Sequence, residues 1–209
     1  MFFSGATRLM TEPAIILASS SATRRRLLAA AGLAFSVARP TVDEGAIRDA
    51  VKRANGSTET AVGELALAKA LDVGRTNTDA LIIGADQILD RAGLWLGKPG
   101  SRAEARAQLE ALSGQSHRLV TGICVTRGSA AVWHHVDTAL LVMKLLDAAA
   151  IERYLDAAGA AAYDSVGAYQ IEGLGIQLFA EVRGDFFGIL GLPLVPLLAA
   201  LGRHDVTLP

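Results

Sequence analysis

The sequence contains a single cysteine, Cys124, among 209 residues. One thiol cannot form an intramolecular disulfide and offers no zinc-binding spacing. Cys124 stands in an apolar run, residues 122–125, where a buried thiol is a more ordinary role than a nucleophile. The sequence therefore excludes a disulfide scaffold and fits a reducing compartment.

Long hydrophobic segments are also missing. Residues 1–13 include Arg8 and Glu12 and have no apolar stretch of the kind found in a signal peptide. The most apolar segment, residues 190–201, is interrupted by Pro193 and Pro196 and is too short to span a membrane. We therefore expect a cytoplasmic protein without a membrane partner. Residues 1–209 are predicted to form a single domain, with residues 1–13 as a flexible N-terminal extension.

An excess of charge of one sign is absent, since the net charge is −1. No basic face is indicated, so a nucleic-acid polymer is a poor candidate partner. A small, highly charged ligand needs only a local cluster of cations and remains compatible. The apolar, alanine-rich composition with few aromatic residues is typical of a compact α/β protein.

The most informative stretch is residues 81–90. The apolar run 80–83 predicts a buried strand that ends at Gly84, and Asp86 follows directly. Open α/β sheets bind ligands at such strand ends, so Asp86 is a candidate functional acid. The alternative is an ordinary turn residue, because Gly-x-Asp after a strand is common turn chemistry.

A second candidate feature follows residues 14–18, which predict the first buried strand. Ser21 is placed to cap a helix that runs to Ala31 and stops at Gly32. A strand, then hydroxyl groups, then a helix start is an anion-binding arrangement, to which Arg24 can add a bidentate contact. The alternative is a capped helix with a solvated basic face.

Three further charged residues can serve either chemistry or solubility. Glu44 ends an acidic loop, residues 40–44, and is either a metal ligand or a surface charge. Lys69 lies in a helix predicted over residues 60–73 and reaches either water or a phosphate. Lys98 follows a predicted hairpin, residues 88–96, in a loop that is not a P-loop because Pro99 replaces its Ser or Thr.

The remaining pattern completes an α/β chain. Residues 49–57 are polar and predict a helix edge or loop. Ser101 and Glu104 form a capping box for a helix to Leu112. Strands are predicted over residues 118–126 and 176–182, one long strand or two shorter ones over 131–146, and helices over 147–158 and up to Gly202. The glycine-rich segment 167–175 lacks the third glycine of a dinucleotide fingerprint, where Leu178 stands.

Taken together, these segments resemble the Maf family of nucleotide pyrophosphatases. The blocks that carry the resemblance occur in order along almost the whole chain. They are Leu17-Ala18-Ser19-Ser20-Ser21 with Arg24, Val42-Asp43-Glu44, Leu67-Ala68-Lys69-Ala70, Gly84-Ala85-Asp86, Gly97-Lys98-Pro99, Leu112-Ser113-Gly114 with His117, Thr121-Gly122, Gly167-Ala168-Tyr169 with Ile171-Glu172-Gly173, and Gly191-Leu192-Pro193-Leu194.

The resemblance implies a fold and an activity. The fold is an elongated mixed β-sheet flanked by helices, with a cleft between two lobes. The activity converts a nucleoside triphosphate to the monophosphate and pyrophosphate, using a divalent cation such as Mg²⁺ or Mn²⁺, in a cytosolic enzyme that is often a homodimer. The family is also linked to cell-division arrest and to the removal of non-standard nucleotides.

The resemblance also implies roles for the candidate residues. Asp86 matches the family's proton acceptor, and Glu44 and Asp86 are the expected metal ligands. The phosphate-binding set is Ser19, Ser21, Arg24, Lys69 and Lys98.

The expected specificity positions are Thr23, Gln87 and Glu172. Gln87 and Glu172, with the Gly175-x-x-Leu178-Phe179 pattern, resemble the branch that acts on 7-methyl-GTP. A carboxylate at Glu172 can accept hydrogen bonds from the N1–H and amino group of guanine. Thr23 departs from both branches, where Trp or Arg is usual, and Ala22, Ser165 and Phe187 are further departures from the family pattern.

Two rival functions are compatible with the same residues. The protein could be a nucleotide-binding regulator of septum formation with little turnover, which needs the anion site but no base. It could also be a phosphatase that releases terminal phosphate. Product identity separates the enzymatic options, because pyrophosphate requires attack at the α-phosphorus and orthophosphate requires attack at the γ-phosphorus.

Overall fold

The structure, a computed structural model, describes residues 12–206. The extension predicted over residues 1–13 lies almost entirely outside the described residues. The centre of the fold is a seven-stranded mixed sheet of order β2-β1-β3-β5-β6-β7, with β4 paired to β3. Its strands are β1 (Ile15–Ala18), β2 (Ser36–Ala38), β3 (Leu81–Arg91), β4 (Leu94–Leu96), β5 (Ser116–Arg127), β6 (Ala130–Met143) and β7 (Phe179–Arg183).

Helices flank this sheet, which confirms the predicted α/β fold. The α-helices are α1 (Ala22–Ala30), α2 (Glu44–Arg53), α3 (Thr58–Gly74), α4 (Arg102–Leu112), α5 (Ala148–Ala158), α6 (Phe186–Ile189) and α7 (Leu194–Gly202). Short 3₁₀ helices cover Gly159–Tyr163, Val166–Ala168 and Leu174–Leu178. No helix among residues 12–206 is long and apolar enough to cross a membrane.

Side-chain caps begin the helices where the sequence predicts them. Ser21, Ser101 and Asp147 each accept a hydrogen bond from the backbone N–H three residues later. Such a bond satisfies one of the free N–H groups at a helix start and contributes about 1 kcal/mol. The starts of α1, α4 and α5 are therefore fixed by local chemistry.

Three predicted boundaries are wrong. The strand expected to stop at Gly84 continues as β3 to Arg91, because β5 pairs with it along its whole length. The acidic loop predicted over residues 40–44 ends one residue early, because Asp43 caps α2 and Glu44 opens it, whereas residues 49–57 hold the end of that helix and a loop, as predicted. The strand predicted over residues 176–182 begins only at Phe179, since Leu174–Leu178 is a 3₁₀ helix.

One edge of β3 is nevertheless open at the point where the sequence predicts a strand end. The parallel partner β1 pairs with β3 only as far as Gly84, and β4 begins to pair with it at Leu89. Residues 85–88 therefore have no neighbouring strand on that edge. A ligand site at this gap obeys the rule that sites form beyond the ends of parallel strands, because β1 ends there.

The two faces of β3 pack against different helices. Ile83 and Ala85 join a buried cluster with residues of α1 and α7. Ile88 lies on the other face and packs against residues of α3. Because side chains alternate along a strand, Gly84 and Asp86 share the α3 face with Ile88.

Glycine allows α3 to approach the sheet very closely. A Cβ atom added to Gly84 would overlap the carbonyl oxygen of Ala66, and one added to Gly122 would overlap that of Val62. Ala66 and Val62 both belong to α3. The two glycines stand on neighbouring strands, so together they form a shallow groove in which the helix lies.

We predict that Gly84→Ala destabilises the protein by about 1–3 kcal/mol, because overpacking forces the helix away from the sheet. The measurement is the free energy of unfolding from urea denaturation. Gly63→Ala is the matched control, since an added Cβ at this α3 position meets nothing within 4 Å. The control should be neutral or stabilising by roughly 0.5–1 kcal/mol. Equal stability of the two variants would contradict the close-approach argument.

Candidate active site

The open edge of β3 borders a cavity of about 610 Å³. Every sequence-predicted site residue lines it, which brings together positions that are far apart in the chain. They are Ser19, Ser21, Thr23, Arg24, Glu44, Lys69, Asp86, Gln87, Lys98 and Glu172.

Asp86 and Lys69 form the buried centre of the cavity wall. The Nζ of Lys69 lies 2.6 Å from Oδ1 of Asp86 and 2.8 Å from Oε1 of Glu44. The Asp86 and Lys69 side chains are each only 7% exposed, whereas Glu44 is 41% exposed. Lys69 thus does not extend into water, and Glu44 is not an isolated surface charge. A buried charge of either sign is stable only when it is paired in this way.

Arg48 is a site residue that the sequence reasoning missed. Its Nη2 lies 3.4 Å from Oε2 of Glu44 and 3.5 Å from Oδ2 of Asp86. It stands one helical turn after Glu44 on α2, so the two side chains meet as an i,i+4 pair. Recognising Asp43 as a helix cap would have revealed this pairing, because it would have turned the predicted loop into a helix.

Residues 19–21, the serine loop, line the cavity together with Arg24. The Oγ of Ser21 accepts a hydrogen bond from the N–H of Arg24 at 3.3 Å, as the predicted helix cap. Arg24 is buried and donates from Nε to the carbonyl of Gly191 at 2.7 Å. Its Nη1 donates to the carbonyl of Ala85 at 2.9 Å and to Oγ of Ser19 at 3.3 Å. Arg24 therefore ties three segments together.

The electrostatics of Arg24 reflect its burial. Desolvation lowers its pKa, while the negative charges of Asp86 and Glu44 oppose that shift. Its Nη2 forms no hydrogen bond within the described part of the chain, and it is this nitrogen that is left for a ligand. Lys98 is different, because it is exposed on the cavity wall.

Hydrogen bonds fix the orientation of the Gln87 side-chain amide. Its Nε2 donates to Oγ1 of Thr121 at 2.9 Å and to the carbonyls of Gly188 and Ile189 at 3.1 and 2.9 Å. The hydroxyl of Thr121 donates its own hydrogen bond to the carbonyl of Gly188 at 2.9 Å. All three partners thus act as acceptors, so the amide nitrogen must face them. Oε1, a hydrogen-bond acceptor, is the group that remains for a ligand.

Thr23 and Glu172 meet through a residue that the sequence reasoning did not single out. The Nη2 of Arg26 donates to Oγ1 of Thr23 at 3.2 Å and lies 3.5 Å from Oε1 of Glu172. Arg26 is 67% exposed, so the ion pair contributes little to stability. Its effect is to place a cation beside Thr23, the position where the resemblance leads us to expect Trp or Arg.

A buried histidine supports the part of the cavity wall that Tyr169 forms. His117 Nε2 and the hydroxyl of Tyr169 lie 2.7 Å apart, and Tyr169 lines the cavity. Phe179 packs beside both rings. Burial lowers the pKa of His117 from 6.5 to about 4, and burial also raises the pKa of Tyr169. The pair is therefore neutral at pH 7.

The residues present fit the divalent cation that the resemblance implies. Glu44 and Asp86 converge, since Lys69 contacts one oxygen of each and Arg48 contacts the other oxygen of each at the longer distances of 3.4 and 3.5 Å. No group of three or more His, Cys, Asp or Glu side chains suited to a metal occurs among residues 12–206. Mg²⁺ is commonly held by one or two carboxylates together with substrate phosphates, so this pair suits a site completed by the nucleotide.

Charge balance supports the same conclusion. The lining includes five cationic and five anionic side chains. A bound triphosphate would therefore leave an uncompensated negative charge, which a divalent cation would reduce. The cations are Arg24, Arg39, Arg48, Lys69 and Lys98, and the anions are Asp43, Glu44, Asp86, Asp164 and Glu172.

We predict that His117 makes the protein less stable as the pH falls from 6.5 to 4. The unfolded chain binds a proton below pH 6.5, whereas folded His117 does not bind one until about pH 4. The free energy of unfolding should therefore fall by up to about 1.4 kcal/mol per pH unit in this window.

The free energy of unfolding, measured by urea denaturation at each pH in this range, should change less with pH in His117→Gln than in the wild type. His134→Gln is the matched control, since His134 is exposed, and its slope should equal that of the wild type. An unchanged slope in His117→Gln would contradict the assignment to His117.

Comparison with known proteins bears on this arrangement. The family model described as Maf-like protein matches residues 14–204. A nucleoside triphosphate pyrophosphatase of Rhodospirillum rubrum is 46% identical and covers 94% of this chain and 97% of its own length. One of Nitrobacter winogradskyi is 49% identical over 91% of this chain and 93% of its own. A 7-methyl-GTP pyrophosphatase of Brucella abortus is 43% identical over 91% and 96%.

The resemblance on which the sequence interpretation rests is thereby confirmed. The match spans the serine loop, Lys69, Asp86 and Glu172, which the fold brings to one cavity. The chain belongs to the family of Maf-like proteins.

Proposed function

We propose that this protein hydrolyses a nucleoside triphosphate to the monophosphate and pyrophosphate, with a divalent cation. The observation that carries the proposal is Asp86, a buried carboxylate with an oxygen 2.6 Å from the Nζ of Lys69. Its cavity also offers several hydrogen-bond donors that could bind phosphate oxygens. The names of the relatives, pyrophosphatases of nucleoside triphosphates and of 7-methyl-GTP, support the same reaction.

The two oxygens of Asp86 suit different tasks. Oδ1 is held tightly by Lys69, whereas Oδ2 has only the longer contact of 3.5 Å with Arg48. Oδ2 is therefore the oxygen that can accept a proton from water as general base. The water oxygen bonds to the α-phosphorus, the bond from that phosphorus to the bridging oxygen breaks, and pyrophosphate leaves with that oxygen.

Fixed donors compensate the charge that builds on the phosphate oxygens. Candidates are the Nη2 of Arg24, the exposed Lys98 and the backbone N–H groups at the start of α1, with the hydroxyls of Ser19 and Ser21 beside them. A helix start favours anions because its N–H groups are free. A cation held by Glu44 and Asp86 would polarise the phosphate and supply counter-charge.

The nucleobase end of the cavity offers two acceptors. Gln87 presents Oε1 because its nitrogen is committed elsewhere, and Glu172 presents a carboxylate. A base that carries adjacent N–H donors, as guanine does at N1 and its amino group, satisfies both acceptors. This polarity supports a guanine-type substrate, including 7-methyl-GTP.

We propose one domain over residues 1–209 that acts in the cytoplasm as a homodimer, without a nucleic-acid or membrane partner. A role in cell-division arrest or in the cleansing of the nucleotide pool would follow from the substrate. The rival regulator needs the same anion site but not Asp86, so turnover decides between them.

We predict that Asp86→Asn abolishes pyrophosphate release while the protein stays folded. Without the base, the rate should fall about 10²–10⁴-fold. The measurement is ion-exchange analysis of products from canonical and 7-methylated nucleoside triphosphates with Mg²⁺. Monophosphate and pyrophosphate from the wild type support the proposal.

Asp90→Asn is the control for Asp86→Asn, on the same strand. Asp90 is buried and accepts hydrogen bonds from the hydroxyl of Thr58 and the N–H of Gly93, each at 2.7 Å. It does not belong to the cavity lining. This variant should lose stability, by about 1–3 kcal/mol, but retain turnover by its folded fraction. Orthophosphate as the only product, or binding without turnover, would refute the proposed reaction in favour of its rivals.

We predict that Glu172→Gln lowers the preference for guanine over pyrimidine triphosphates. Its amide presents a donor where the carboxylate presents only acceptors, so the guanine kcat/KM should fall about tenfold relative to that of UTP. Glu64→Gln, an exposed change on α3, is the control and should leave the ratio unaltered. An unchanged preference in Glu172→Gln would exclude a base-reading role.

A further inference from the structure

We propose that Arg48 is a displaceable cation, which holds the two acids before the divalent cation binds and then binds a substrate phosphate. The inference deepens the proposed function and rests on it. The helix cap at Asp43 places Arg48 one turn after Glu44, but only the fold brings it to Asp86 as well.

Arg48 and Lys69 hold the same two carboxylates with different strength. Lys69 contacts Asp86 and Glu44 at 2.6 and 2.8 Å, whereas Arg48 contacts them at 3.5 and 3.4 Å. The Arg48 side chain is 32% exposed and that of Lys69 is 7% exposed. The longer contacts and the greater exposure make Arg48 the cation that can leave without moving the backbone.

The guanidinium of Arg48 is also incompletely bonded where it lies. Its Nε is buried and has no hydrogen-bond partner among residues 12–206, although Nη2 bridges both acids. Leaving a buried donor without a partner costs free energy. A conformation that directs the planar fork toward phosphate oxygens would satisfy these donors, because guanidinium geometry matches phosphate.

The position of Arg48 suits both tasks. It lines the cavity together with the serine loop, Arg24 and Lys98, which surround the space for a triphosphate. While the site holds no cation, Arg48 offsets the repulsion between Glu44 and Asp86. Once the acids bind a divalent cation, Arg48 is released to a ligand that carries more negative charge.

The experiment measures binding without turnover, so it stays informative if the proposed reaction fails. Mn²⁺ binding in the absence of nucleotide is measured by electron paramagnetic resonance. Binding of an α,β-methylene guanosine triphosphate with Mg²⁺ is measured by calorimetry. Both use the full chain as wild type, Arg48→Gln, Arg48→Lys and Arg53→Gln.

Arg48→Gln should shift the two affinities in opposite directions. Mn²⁺ should bind roughly two- to fivefold more tightly, because a competing cation is gone. The nucleotide should bind about ten- to a hundredfold more weakly, because charge-assisted hydrogen bonds to phosphate are lost. Arg48→Lys should restore part of the nucleotide affinity. Arg53→Gln, an exposed change on the same helix, should alter neither affinity.

Other outcomes would overturn the proposal. Weaker or equal Mn²⁺ binding in Arg48→Gln, including no binding to either protein, would mean that Arg48 does not compete for the acids. Unchanged nucleotide affinity would mean that it does not contact phosphate. Arg48→Lys keeps the positive charge and provides the comparison if Arg48→Gln does not fold. Failure of the wild type to release pyrophosphate would count against the proposed function alone.

Discussion

The structure depends on the close approach of α3 to the sheet. Gly84 and Gly122 remove the two Cβ atoms that would otherwise hold the helix away from β3 and β5. Lys69 lies on this helix between Ala66 and Ala70, and Asp86 is two residues beyond Gly84 on the facing strand surface. The same contact that packs the core therefore brings the ammonium to 2.6 Å from the carboxylate. Packing and chemistry share one constraint.

This constraint explains how charged groups remain stable inside the protein. An isolated buried charge is expensive, whereas a paired one is tolerated when its partner is held in place. Rigid elements on both sides hold Asp86 and Lys69, so neither needs to order a flexible chain to meet the other. Glu44 and Arg48 stand on α2 at the more exposed side, where bonds are longer. The site thus has a rigid centre and an adjustable border.

Much of the fold was predictable from local signals. The caps at Ser21, Ser101 and Asp147 depend on a hydroxyl or carboxylate and the next three residues, so the sequence alone indicates them. The end of β3 was not predictable in this way. A glycine in a strand signals either a stop or the approach of another backbone, and only the position of α3 decides between them.

At the site, too, residues with a local sequence signal could be predicted, whereas contacts made only by the fold could not. Asp86 was identified because it follows an apolar run, and its partner Lys69 became credible only through the family resemblance. Arg48 meets Glu44 within α2, but its contact with Asp86 depends on where α2 lies against the sheet, and the contact of Arg26 with Glu172 depends on where α1 lies. No residue spacing reports a contact between Arg26 and Glu172, which lie 146 positions apart. Tertiary geometry is therefore the only source for the contacts of Arg48 with Asp86 and of Arg26 with Glu172.

Hydrogen-bond polarity links the core to substrate choice. Thr121 is fully buried and has one proton, which the carbonyl of Gly188 accepts. Its oxygen must then accept from Gln87, and the carbonyls of Gly188 and Ile189 impose the same direction. A side chain that could be either donor or acceptor becomes an acceptor alone. Glu172 lines the same cavity, so under the proposed function the base meets two acceptors, and a base without adjacent donors would leave at least one of them unpaired.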